Sequence, residues 1–176
     1  MIKTKQLSFF KKQTLEHGGT LGKGKRKIAR PISTKHPIHL VYRSSKARAR
    51  LSLLNFSRRI EKILSQQAKK FGVTIYEKAN SGNHLHLLIR GKTRVGIQKF
   101  YISTTALIAR LVTGAKKGKK FGKFWDHIMY SRVLTSWKRE FLGVKDYLLQ
   151  NTLETLGLVP YRARNQYGKP LRSNSS

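Results

Sequence analysis

The chain contains no cysteine, and only 7 of its 176 residues are acidic. Without thiols it can build neither a disulfide framework nor a Cys-based zinc site, and the count fits a reducing interior. Long apolar runs are missing as well. The longest near the N-terminus is "LSFF" at 7–10, too short for a signal-peptide core, and no stretch is long enough to span a bilayer. The expectation is a soluble cytoplasmic protein without a membrane partner.

Scarcity of acids leaves 38 Lys and Arg nearly unopposed, a formal charge of +31 and an isoelectric point of about 11.2. Such a surplus repels itself unless a polyanion neutralises it, and nucleic acid is the common intracellular polyanion. Binding would then weaken with salt through counterion release, and the protein would sit on the nucleoid. A hydrophobic content of 39% supports a real core, so this is not a disordered polycation. The length suits one domain.

Residues 1–35 join "GGTLGKG" to "KGKRKIARP", dense in Gly and Lys with little apolar periodicity. They read as a basic, mobile arm, either a solvated tail or a phosphate contact through Lys23, Lys25, Arg26 and Lys27. From 36 the pattern changes. "IHLVYR" (38–43) alternates as a strand. Leu53, Phe56, Ile60, Ile63, Leu64 and Phe71 recur at helical spacing over about 51–71, where Gly72 stops the helix. "VTIYEKA" (73–79) and "HLHLLIR" (84–90) flank the turn sequence "NSGN", as in a hairpin.

A second helix runs from Val95 to Val112 and ends at Gly114, and "FWDHIMYSRVL" (124–134) reads as another strand. Ser136 caps a last helix that reaches Leu156, with Gly143 as a possible division. The order β-α-β-β-α-β followed by a helix predicts an α+β fold. Its sheet is ferredoxin-like and antiparallel, with helices on one face and the other face free. Residues 163–176 form a tail.

In "SGNHLHLLIRG" (81–91), His84 and His86 fall at i and i+2 of a strand. The backbone therefore holds them side by side on one face, about 6.6 Å apart, with Leu85, Leu87 and Ile89 turned to the core. Two imidazoles fixed this way can converge on one cation, or can simply be polar residues on a wet face. In "KDYLLQN" (145–151), Tyr147 and Asn151 are one helical turn apart beside an apolar stripe of Val144, Leu148 and Leu149. A half-buried tyrosine can also serve only as a hydrogen-bonding core residue.

Taken together, "GNHLHLLI" and "YLLQNTLETLGLVPYR" resemble the HUH single-strand DNA endonucleases. More closely, they resemble the small single-domain tyrosine transposases that include the REP-associated group. The likeness covers about 36–162. It implies a divalent ion, magnesium or manganese, held by His84, His86 and Asn151, and a nucleophilic Tyr147 on the C-terminal helix. It implies nicking and joining of single-stranded, hairpin-bearing DNA through a 5′-phosphotyrosine, by a monomer or a homodimer. A free phenol ionises only near pH ~10, so the ion must stabilise developing charge. Imidazole ligands lean toward manganese. Asp126 and Asp146 are candidates for outer-shell roles, and Tyr101 is the alternative phenol.

Two features depart from the family: a charge greater than the chemistry requires, and an arm outside the region of likeness. Lys116, Lys117, Lys119, Lys120 and Lys123, interleaved with Phe121, Phe124 and Trp125, suit phosphates and unpaired bases, though Phe124 and Trp125 also suit a core. Such contacts carry no sequence preference. The alternative reading is a non-catalytic basic nucleic-acid-binding protein on the same fold.

Overall fold

The structure, a computed structural model, describes residues 15–22 and 29–161. Five strands, β1 (Glu16–His17), β2 (Ile38–Arg43), β3 (Val73–Asn80), β4 (His84–Gly91) and β5 (Tyr130–Val133), form one sheet in the order β1-β5-β2-β4-β3. All pairings are antiparallel. The inner order β5-β2-β4-β3 is that of a ferredoxin-like sheet. Strand β1 adds an edge to it, so part of the stretch expected to be an arm belongs to the sheet.

Alternation along the strands decides which face each helix covers. Ile38, Leu40 and Tyr42 of β2 and Leu85, Leu87 and Ile89 of β4 are buried in one core. Helices α1 (Ser57–Phe71) and α2 (Arg94–Thr113) close it with Ile60, Leu64, Ile97, Phe100 and Ile108. Gly72 ends α1 in the left-handed region at φ 63°, which glycine adopts without a Cβ penalty. A Cβ on Gly96 would lie 2.4 Å from the Phe71 carbonyl oxygen, so glycine there lets α2 pack against the end of α1.

The opposite face is not free. Helix α3 (Leu142–Thr155) lies on it, burying Leu148 with Phe141 against Ala79, Leu88 and Leu134. Val144, Tyr147, Leu148 and Asn151 recur at helical spacing along its inner side.

Three predicted elements are shorter in the structure. The first helix begins at Ser57, because Leu53–Phe56 is a 3-10 turn whose Leu54 N–H is taken by the Ser52 hydroxyl. Local polar bonds of this kind compete with an α-helical start. The fifth strand covers only Tyr130–Val133. Residues 124–126 fold around the end of β2: Ser44 Oγ donates to the Phe124 carbonyl and Ser45 donates to the Asp126 carboxylate. The last helix opens as one π turn, Trp137–Phe141, with the Glu140 and Phe141 N–H groups both donating to the Ser136 carbonyl. Ser136 caps it through its hydroxyl, which accepts from the Arg139 N–H.

Candidate active site

Register brings three histidines together where only two were expected. Strand β2 pairs with β4 so that Val41 opposes His86 and Arg43 opposes His84, which places His39 on the same face one step further along. The rings of His39, His86 and His84 lie in a row, with centroids 5.5 Å and 5.9 Å apart and planes within 17° and 20° of parallel. The sequence carries a signal for His39: it alternates with Ile38, Leu40 and Tyr42, so it must face away from their core. Without the strand order, nothing sets it beside β4.

The ring nitrogens are committed in a consistent way. His84 Nδ1 lies 2.6 Å from Asn83 Oδ1, an oxygen that only accepts, so Nδ1 carries the proton. His86 Nδ1 lies 3.3 Å from His39 Nε2. Each member of the His84/His86 pair thus has Nδ1 occupied and Nε2 as its remaining nitrogen.

Burial favours the neutral rings. It lowers His39 to about 4, helped by the nearby Arg132 charge. Burial likewise holds His86 well below the usual imidazole range, with His39 and His84 adding to the effect. His84 is lowered by burial and by Arg43, with Asp126 acting in the opposite direction. Neutral imidazoles are the form that ligates a cation.

Helix α3 brings the phenol to this row. Tyr147 stands edge-on to His86, with centroids 5.5 Å apart at 83°, and to His39 at 6.5 Å and 76°. Leu148, fully buried, fixes the rotation of the helix. Asn151 follows one turn later at 8% exposure, a polar side chain where the stripe would otherwise place an apolar one. Among the described residues no group of three or more His, Cys, Asp or Glu side chains forms a metal site. His84 and His86 thus offer two largely neutral imidazoles on one sheet face, and α3 adds the buried carboxamide of Asn151 one turn from Tyr147.

The start of α3 is tied to the same sheet face. Arg132, opposite His39 in the β2–β5 register, donates to Glu140 and lies 3.7 Å from Glu16. Burial would raise the Glu140 carboxyl. Hydrogen bonds from the Ser136 N–H, Arg132 and Thr135 outweigh it and bring the value to about 2.

Other candidates lie elsewhere. Lys116, Lys117, Lys119, Lys120 and Lys123 are all exposed on one loop, tightened by reciprocal backbone bonds between Lys116 and Lys119. Phe121 is exposed beneath the Lys46 ammonium, Phe124 is core, and the Trp125 indole donates to the Thr105 carbonyl. Asp126 is spent on the Ser45 turn and a 3.7 Å contact with Arg43, while Asp146 is exposed. Tyr101 packs in the α1/α2 layer under Arg30, across the sheet from the histidines. Lys23, Lys25, Arg26 and Lys27, like the tail 163–176, lie outside the described residues.

Most of the histidine and tyrosine cluster falls within a match to known proteins. A family model described as "Transposase IS200 like" matches residues 32–149, about two-thirds of the chain and including His39, His84, His86 and Tyr147. Asn151 falls just past its end. A solved structure from Deinococcus radiodurans R1, described as a transposase, shares 14% identity over 72% of this chain and 98% of its own, with a TM-score of 0.43. No curated protein matches.

Proposed function

Since the chain belongs to the IS200-like transposase family, and is therefore of a DNA-processing kind, we propose that it nicks and rejoins single-stranded DNA through a 5′-phosphotyrosine at Tyr147. The observation that carries this reading is the contact of Tyr147 with His86 inside a single chain. A nucleophile and a charge-stabilising centre must share one small volume for phosphoryl transfer. A protein that only binds has no use for a phenol held against neutral, paired imidazoles.

In the proposed step Tyr147 Oη bonds to the scissile phosphorus, the bond from phosphorus to the 3′ oxygen breaks, and that oxygen takes a proton from solvent and leaves as a hydroxyl. The phenolic proton passes to solvent. Attack by another 3′ hydroxyl reverses the sequence, so the bond energy is conserved through both halves. His84 and His86, with Asn151, would hold a divalent ion, which when bound supplies charge neutralisation at the non-bridging phosphate oxygens. Asn83 orients the His84 ring, and Leu148 holds the phenol in place. Because Tyr147 meets His86 of its own chain, the reading does not require a second subunit.

The exposed lysines of the 116–123 loop would neutralise the DNA backbone on either side of the cut. Hairpin-bearing single strands are the proposed substrate class.

The test is incubation of the protein with end-labelled, hairpin-bearing single-stranded DNA and manganese, followed by denaturing electrophoresis. We expect a covalent protein–DNA adduct that needs the metal and is absent in Tyr147→Phe. DNA binding without any adduct on a broad substrate panel would leave a non-catalytic binding protein.

A further inference from the structure

We propose that His39 is a positioning residue, accepting the Nδ1–H of His86 and so fixing the tautomer in which His86 Nε2 keeps its lone pair. The inference rests on the reading of His84 and His86 as cation ligands. It concerns a third histidine that this reading does not use.

His39 Nε2 and His86 Nδ1 lie 3.3 Å apart, and between two neutral imidazoles one proton must sit on one side or the other. If His39 carries it, His86 accepts at Nδ1 and holds its own proton on Nε2, which blocks ligation there. If His86 carries it, Nε2 is open. Only the second arrangement matches His84, whose Nδ1–H is taken by the Asn83 oxygen at 2.6 Å. A ligating histidine commonly donates its other ring N–H to an outer partner, which sets both tautomer and ring angle. Here Asn83 would serve one ring and His39 the other.

His39 is poorly placed to be a ligand itself. Its ring runs nearly parallel to that of His86, at 17° with centroids 5.5 Å apart, and its Nε2 is directed at His86 Nδ1. Its position is held by the β2–β4 register and by burial to 8% exposure. A side chain anchored on one strand can therefore orient a ring on the next.

The test uses metal-free full-length protein labelled with 15N-histidine, where long-range proton–nitrogen correlations report the tautomer of each ring. We expect the wild-type His86 ring to be protonated on Nδ1 and unprotonated on Nε2, with that preference lost in His39→Leu. In His39→Gln the carboxamide oxygen can still accept, and the preference should return. Manganese affinity, titrated without DNA, should fall about 10–100-fold in His39→Leu and recover most of that in His39→Gln. A wild-type His86 ring protonated on Nε2, or a His39→Leu protein binding manganese within twofold of wild type, overturns the inference. The first of these outcomes needs no variant to fold. Absence of manganese binding in wild type, with no change in His86→Ala, would instead defeat the ligand reading, while the ring correlations would still decide whether His39 sets the tautomer.

Discussion

Tyr147 and His86 come from the last helix and an inner strand, yet their rings meet edge to face at 5.5 Å within one chain. The contact exists because Leu148 is buried against Leu88, two residues along β4 from His86. An apolar anchor at one position therefore determines where the neighbouring phenol sits, and this link between packing and chemistry can be tested from either end.

From the packing end, Leu148→Ala should cost about 2–5 kcal/mol, the usual range for deleting a fully buried leucine side chain. Urea denaturation measures it. Adduct formation should fall further than the unfolded fraction explains, because α3 loses its seat on the sheet. Full activity in a destabilised but folded variant would detach Leu148 from the site.

From the chemical end, His84→Ala and His86→Ala should each lower the rate of adduct formation about 10²-fold or more, the scale for losing a group that stabilises developing charge. Affinity for single-stranded DNA should stay within a few-fold if the exposed lysines carry the phosphate contacts, as proposed. A filter-binding titration beside the cleavage time course separates the two effects.

Salt dependence tests the loop. The Lys119→Ala/Lys120→Ala double variant should reduce the slope of log affinity against log salt by about 0.7 for each single-strand phosphate that is no longer neutralised. It should weaken binding to unrelated sequences alike. An unchanged slope would place the DNA on another surface.

Glu140 gives the acid limb of stability. Its folded-state value of about 2 lies below the ordinary 4.5, so the folded protein binds fewer protons than the unfolded chain between these values. The stabilisation is complete above about pH 4.5 and is lost as pH falls toward 2. Glu140→Gln should therefore lower Tm at neutral pH and flatten the decline of Tm over that window. Identical Tm–pH curves would show that the Thr135, Ser136 and Arg132 bonds contribute nothing.

Much of the fold is legible in the chain because period and chemistry agree locally. Alternation over 38–43 predicts strand β2, which is Ile38–Arg43. The hairpin follows from the Asn-Ser-Gly-Asn turn, and the second helix from apolar spacing that runs to the Gly114 stop. The rest depends on tertiary context. The 3-10 turn before α1 and the loop at 124–129 are set by Ser44, Ser45 and Ser52 bonding to nearby backbone and side chains, which overrides apolar spacing. The coverage of the second sheet face is hidden because the inner side of α3 carries Tyr147 and Asn151 among its apolar residues. His39 does not stand out, since a histidine within a strand gains meaning only from the neighbour that the strand order supplies.

The most direct measurement is the chemical identity of the linkage. After reaction with a short DNA strand, nuclease trimming and proteolysis, mass spectrometry should find a nucleotide on the peptide that contains Tyr147, joined through its 5′ phosphate. A nucleotide on a peptide bearing another tyrosine, such as Tyr101, or adduct-free cleavage products, would contradict the account.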